Sequence, residues 1–289
     1  MNIKDIQVKN VRIAGFRVGA RQSPLLISGP CVLEDIETAL SIGAFMARAA
    51  KDYGFSYMFK ASFDKANRTS IRSYRGPGLA KGLEMLSVIK KELNVPVISD
   101  VHTPDQAAAV ATVLDCIQIP AFLCRQTDIL RAAARTGLPI NIKKGQFMAP
   151  WDMRHAVAKI KESGNDQVIL TERGTCFGYN NLVVDMRGLS IMKEFGAPVV
   201  FDATHSVQLP GGGDGCSSGQ REFVPTLARA AMAAGVEGIF LEVHLDPDKA
   251  LCDGPNSLSL EAAADLLKVL SRIRQASILG VESPDGTYR

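Results

Sequence analysis

Short apolar runs rich in β-branched residues recur along the chain, each ending in a polar or charged residue and each followed by a loop and an amphipathic stretch. The runs are Leu25–Cys31, Ser56–Phe63, Val95–Val101, Cys116–Ala121, Pro139–Lys144, Val168–Gly174, Val199–His205 and Gly238–Leu245. Between and after them, apolar positions at helical spacing predict helices over Glu34–Tyr53, Leu79–Leu93, Pro104–Leu114, Thr127–Arg135, Met153–Glu162, Met186–Glu194, Glu222–Ala234 and Leu260–Ile273. Alternating βα units call for a parallel sheet covered by helices. Eight units within 289 residues point to one closed (β/α)8 TIM barrel spanning 1–289, not an open sheet. No GxGxxG follows the first run, which argues against the dinucleotide-binding alternative. Ahead of the barrel, residues 6–19 (IQVKNVRIAGFRVG) alternate apolar and polar residues on both sides of Lys9-Asn10, predicting an N-terminal β-hairpin.

In such a barrel, chemistry gathers at the C-terminal ends of the strands and in the loops that follow. The second run opens into KASFDKANRTS, which presents Lys60, Lys65, Asn67, Arg68 and Thr69 within ten positions. Like charges packed this closely repel unless solvated or neutralised by an anion. A solvated basic loop is the plainer reading of one such cluster. Here Arg125, Lys143, Lys144 and Arg173 fall at or just after other strand ends, so the cations converge on one pocket for anions.

Side-chain alternation sharpens the choice. It groups Ile27, Gly29 and Cys31 on the first strand, Phe240, Glu242 and His244 on the eighth, and Phe201, Ala203 and His205 on the seventh, with Asp202 on the other face. Closure makes strands seven, eight and one neighbours, so Cys31, His205 and Glu242 form an arc that Asp253, in the loop after strand eight, can reach. A thiolate, an imidazole and two carboxylates suit a divalent transition metal rather than Mg or Ca. Each residue alone is more often a packed thiol or a hydrogen-bonded side chain; their convergence carries the assignment. His102, His155 and His244 are read as structural or supporting, and Gly211–Gly213 as a lid.

Composition narrows the partners. With 33 basic and 30 acidic residues the chain lacks the basic excess of a nucleic-acid binder, and no apolar run approaches the roughly 18 residues of a membrane span. The first residues, MNIKDIQVKN, lack the apolar core of a signal peptide, and the six cysteines (Cys31, Cys116, Cys124, Cys176, Cys216, Cys252) show no CxxC pair. The expectation is a cytoplasmic protein with free thiols.

The motifs SGPC (Ser28–Cys31), KASFDKANRTS (Lys60–Ser70), SDVHTP (Ser99–Pro104), QIPAFLCRQTD (Gln118–Asp128), NIKKGQF (Asn141–Phe147), TERGTCFGYNNLVVD (Thr171–Asp185) and FDATHSVQLPGG (Phe201–Gly212) together resemble the 3-deoxy-D-manno-octulosonate-8-phosphate synthases over essentially the whole chain. The KANR tetrad is the most specific part; the sister synthases of the seven-carbon 3-deoxy-D-arabino-heptulosonate 7-phosphate carry a KPRT-like stretch there. The resemblance implies condensation of phosphoenolpyruvate with D-arabinose 5-phosphate and water, with release of phosphate, for the inner sugar of lipopolysaccharide. It implies that Lys60, Lys65, Lys143 and Arg173 hold phosphoenolpyruvate and that Asn67, Arg68, Thr69 and Asp100 take the pentose phosphate. Phe122 and Arg125 are expected to enter a neighbouring subunit's site in a homotetramer. Lys60, Asn67, Lys143, His205 and Asp253 are assigned to the chemistry, and Cys31, His205, Glu242 and Asp253 to the metal.

The family has metal-dependent and metal-independent branches. Cys31 matches the first, where the second carries Asn, whereas Cys252-Asp253-Gly254 looks more like the second. Because a thiolate contributes most to a soft-metal site, Cys31 decides for dependence on Fe, Zn, Mn or Co. The rival readings are the sister synthase acting on erythrose 4-phosphate, a Schiff-base aldolase using Lys143 or Lys144, and a non-catalytic sugar-phosphate sensor.

Overall fold

The computed structural model describes residues 7–68, 70–212 and 218–281. The chain opens with β1 (Val11–Ile13) and β2 (Phe16–Val18), then β3 (Leu25–Gly29), α1 (Ile36–Asp52), β4 (Ser56–Lys60), α2 (Leu79–Leu93), β5 (Val97–Asp100), α3 (Gln106–Val110), β6 (Cys116–Ile119), α4 (Thr127–Ala134), β7 (Ile140–Lys143), α5 (Met153–Glu162) and β8 (Val168–Glu172). There follow the short strands β9 (Thr175–Cys176) and β10 (Leu182–Val183), α6 (Arg187–Lys193), β11 (Val199–Asp202), the short pair β12 (Gln208–Leu209) and β13 (Ser218–Gly219), α7 (Val224–Ala233), β14 (Gly238–His244), β15 (Leu258–Ser259) and α8 (Leu260–Val281). Parallel pairing runs from β3 through β4, β5, β6, β7 and β8 to β11 and β14, and β14 returns to β3. Eight parallel strands therefore close into the expected (β/α)8 barrel with a helix after each.

Local chemistry sets the helix ends. Asp35 caps α1, its Oδ1 accepting from the Thr38 amide at 2.7 Å, and α2 ends at Asn94, whose left-handed backbone (φ 51°) suits Asn. The predicted helix over Pro104–Leu114 contracts to Gln106–Val110. Thr112 turns its hydroxyl back onto the Ala109 carbonyl at 2.8 Å, and β-branched Val110, Thr112 and Val113 disfavour a further turn.

The hairpin forms, but not around Lys9-Asn10: the chain reverses at Ala14-Gly15, with Val11 opposite Val18 and Ile13 opposite Phe16. Ile6 lies outside the described residues. Val11, Ile13 and Val18 pack with the barrel's inward side chains Leu25, Ile27, Met58, Ile98, Cys116, Ile169, Val200 and Phe240. The hairpin thus plugs the N-terminal end of the barrel with an apolar layer, and the opposite mouth is left to polar groups.

Gly29 ends β3 where β4 comes closest; a Cβ there would lie 2.1 Å from the Lys60 carbonyl oxygen. That contact is backbone, which cannot swing aside. Gly29→Ala is expected to lower folding stability by about 1–3 kcal/mol, read as a lower midpoint in urea unfolding; an unchanged midpoint would contradict this account of the β3–β4 approach.

Candidate active site

Above the apolar layer the inward side chains become charged. Lys60 and Lys143 end β4 and β7 and bury their ammonium groups, Lys60 3.1 Å from Glu242 and Lys143 2.5 Å from Asp202. Both stand over the Phe240 ring, at 5.5 and 3.9 Å from its centroid. Phe240 is the floor between the apolar plug and the polar mouth, and its π face favours cations. Burial pulls the Lys60 pKa down, but Glu242 and Asp100 together carry it above its ordinary value. For Lys143 burial outweighs the pull of Asp202, and its pKa falls. Asp202 itself, despite burial, is held far below the carboxylate range by His205 and Lys143.

A second network adjoins the first. Lys60 also donates to Ser62 (3.2 Å), Ser62 donates to Asp100 (2.5 Å), and the other Asp100 oxygen meets His102 at 2.8 Å. Burial works against the Asp100 charge, but His102 and Lys60 hold its pKa well below the usual range. These groups face a cleft of about 450 Å³ that Lys60, Lys65, Asn67, Arg68, Asp100, Phe122, Lys143 and Arg173 all line. Arg173 is buried; one guanidinium nitrogen, Nη2, donates to Gln208 at 2.6 Å, while Nη1 is buried without a partner. An unpartnered buried donor is costly, and Arg173 lines the cleft that Lys143 also lines.

The acidic side of the cleft is built on Asp253. Its backbone sits at φ 49°, its Oδ1 accepts from Gln208 at 3.1 Å, and its Oδ2 accepts from the Cys31 thiol at 3.1 Å and lies 3.8 Å from His205 Nε2. His205 Nε2 is 3.6 Å from Glu242, and its Nδ1 is 2.8 Å from Asp202. Lys65 places its ammonium 3.0 Å from the Cys31 sulfur. Burial first, then the hydrogen bond to Cys252 and the charge of Asp253, push the Cys31 thiol well above its ordinary pKa. His205, Glu242 and Asp253 can converge on one ion, as can Cys31, Cys252 and Asp253.

The four expected metal ligands thus fall into two convergent groups that share Asp253, one holding Cys31 and the other His205 and Glu242, and eight of the ten expected substrate contacts line the cleft. Thr69 lies outside the described residues, as does Gly213 of the glycine run. Arg125 is exposed and does not border the cleft; its carbonyl accepts from Lys159.

One expectation fails. Strand alternation was expected to give Phe201, Ala203 and His205 a common inward face, yet Phe201 and Ala203 pack outward under the helices, while Val200 and Asp202 face the interior. The strand ends at Asp202, and a turn with a short 3-10 helix over His205–Val207 brings His205 inward by another route. Asp202 was missed for that reason, although its place at a strand end was visible. Cys252, a branch marker in the sequence, also lines the cleft. Lys144 takes no part: it donates to the carbonyls of Gly145, Met148 and Gly174 and to Thr175, and pairs with Glu172 at 3.3 Å. His244 is similarly held, by the Asp246 backbone, and His155 is exposed.

Comparison with known proteins gives the chain its relatives. Residues 5–277 match the model of the DAHP synthetase I family. The chain is 60% identical over 259 residues to the 2-dehydro-3-deoxyphosphooctonate aldolase of Desulfotalea psychrophila, covering 90% of this chain and 92% of that one. It is 59% identical over 262 residues to the protein of that name from Desulfatibacillum aliphaticivorans (91% and 96% covered). The one from Alkalilimnicola ehrlichii is 57% identical over 263 residues (91% and 95%).

A carboxyl group with a depressed folded-state pKa stabilises the fold fully above its unfolded pKa of about 4 and loses that contribution as pH falls below it. Asp202→Asn removes one such group and leaves Lys143 buried without its partner. We expect a loss of about 3–5 kcal/mol at neutral pH and a shallower fall of the thermal midpoint between about pH 5 and 3. An acid dependence as steep as that of the unaltered chain would contradict the ion pair's role.

Proposed function

For this chain, which belongs to the DAHP synthetase I family, we propose a full assignment of substrates and residues. The chain is an enzyme. It condenses phosphoenolpyruvate with D-arabinose 5-phosphate and water to give 3-deoxy-D-manno-octulosonate 8-phosphate and phosphate, the sugar of the lipopolysaccharide inner core. The family's description points to the seven-carbon sister reaction, whereas relatives of this name at 57–60% identity favour the eight-carbon one. The observation that carries the assignment of residues is the buried Arg173, with Nη1 unpartnered, lining the same cleft as Lys143. Such a site calls for an anion.

In this reading Lys143, Arg173, Lys60 and Lys65 hold the phosphate and carboxylate of phosphoenolpyruvate. Asn67, Arg68, Thr69 and Asp100 take the pentose phosphate. C3 of the enol attacks the aldehyde carbon while water adds at C2; the hemiketal phosphate then collapses, expelling phosphate. Negative charge grows on the aldehyde oxygen and positive charge at C2, and fixed groups need no reorganisation to meet them. Lys60, held between Glu242, Ser62 and the Cys31 carbonyl at 3.1–3.2 Å, is such a group. Lys143, with its lowered pKa, is suited to give or take a proton near the reacting carbons.

Cys31, His205, Glu242 and Asp253 fit a divalent transition metal: Glu242 Oε2 is buried without a hydrogen-bond partner and the donors are of mixed softness. Bound there, Fe, Zn, Mn or Co would orient the reactants and polarise the aldehyde or acidify water. We assign the chain to the metal-dependent branch on Cys31. The exposed aromatic residues Phe122, Phe147, Trp151 and Phe177 on loops after β6, β7 and β8 support a homotetramer, with Phe122 and Arg125 at the boundary between sites. We place the reaction in the cytoplasm, where the Cys31 thiol stays reduced; no described helix is long and apolar enough to cross a membrane.

Phosphate release tests this reading. It is expected with phosphoenolpyruvate plus arabinose 5-phosphate, to be far slower with erythrose 4-phosphate, to stop on chelation and to return with Mn, Fe, Co or Zn. Full activity after verified metal removal would keep the synthase and discard the metal; faster turnover of erythrose 4-phosphate would favour the sister reaction. Borohydride with both substrates should leave Lys143 unmodified, and a reduced adduct there would establish the Schiff-base route. Arg173→Met is expected to lower kcat/KM for phosphoenolpyruvate by roughly 100-fold, about 3 kcal/mol; an unchanged value would remove Arg173 from the anion site.

A further inference from the structure

We infer that Cys252 is a second thiolate ligand, so that the metal basin binds a thiophilic divalent cation through two sulfurs, Cys31 and Cys252, with the Asp253 carboxylate between them. The inference rests on the metal reading above and extends it to a residue outside that four-ligand set. Cys31 Sγ lies 3.1 Å and Cys252 Sγ 3.7 Å from the same oxygen, Asp253 Oδ2. The two sulfurs and an Asp253 oxygen all lie within 4.8 Å of one another. Zn–S bonds of about 2.3 Å put two sulfurs of one tetrahedral ion roughly 3.8 Å apart, inside the 4.8 Å that bounds the two sulfurs here.

The loop is fixed for this purpose. Asp253 adopts φ 49°, its carbonyl accepts from the Asn256 and Ser257 amides at 3.0 and 3.1 Å, and Gln208 occupies Oδ1, leaving Oδ2 toward the sulfurs. The same oxygen, Asp253 Oδ2, lies 3.8 Å from His205 Nε2 of the second convergent set, whose Glu242 Oε2 is buried and unpartnered. A divalent cation there would offset the charge of two thiolates placed beside Asp253 and Glu242. Cys116 shows the contrasting case: wholly buried in the apolar layer, it only packs. Two thiolates shift preference from Mn toward Zn, Co and Cd.

Cadmium is the probe, because its sulfur charge-transfer absorbance reports thiolate ligands independently of activity. The metal-free chain, Cys31→Ser, Cys252→Ser and the double variant are titrated with Cd2+, the double variant giving the baseline of the other cysteines. Above that baseline, the absorbance per bound cadmium should fall to roughly half in Cys252→Ser, and X-ray absorption of the unaltered zinc-loaded chain should count two sulfur neighbours. Undiminished absorbance in Cys252→Ser, or one sulfur at zinc, would overturn the inference while leaving the Cys31 site standing. No cadmium above the baseline in the unaltered chain would overturn both, and phosphate release without metal would then still identify the synthase.

Discussion

The interaction on which the rest depends is the burial of two ammonium groups, Lys60 and Lys143, in the mouth of the barrel against Glu242 and Asp202. Stripping water from such charges costs several kcal/mol per ion, and a pair in place seldom returns more than it costs, so apolar side chains would serve stability better. The barrel nevertheless keeps both pairs on one aromatic floor, Phe240. A fold that retains them has fixed positive charge where water is scarce, which is what phosphate and carboxylate groups need in order to bind in one orientation. The carboxylates are shared rather than consumed: Glu242 also faces His205, and Asp202 also fixes the His205 ring. The cation pocket and the candidate metal ligands are therefore one network.

That network stands on an apolar base. The lower barrel is an apolar layer sealed by the N-terminal hairpin, and the strands carrying Lys60, Asp100, Lys143 and Asp202 stand on it. Along each strand the inward positions pass from apolar to charged within one or two residues: Met58 to Lys60, Ile98 to Asp100, Val200 to Asp202. Close backbone approach at Gly29 draws β3 and β4 together, where the Lys60 ammonium meets the Cys31 carbonyl at 3.1 Å.

Much of this was legible in the sequence, for physical reasons. Buried parallel strands must be nearly continuous apolar runs, so the eight strands stood out, and barrel closure made neighbours of Cys31, Glu242 and His205, which lie far apart in the chain. Charged residues at strand ends serve no packing purpose, so Lys60, Lys143 and Arg173 drew attention as a set. Alternation misled at Asp202, because its phase was set from His205, which lies three residues past the strand's end. The hairpin reversal was missed because Ala14 takes a left-handed backbone (φ 42°) that its type rarely adopts. Cys252 was passed over because a residue beside a ligand looks incidental until both sulfurs are seen around one carboxylate oxygen.

The most direct test of the central claim is a crystal structure of the chain with phosphoenolpyruvate bound. The buried-cation account predicts its phosphate and carboxylate on Arg173, Lys143, Lys60 and Lys65, with Arg173 Nη1 satisfied and the Glu242 and Asp202 pairs intact. Phosphoenolpyruvate seated elsewhere in the cleft, with Arg173 Nη1 still unpartnered and the lysines bound only to their carboxylates, would contradict it.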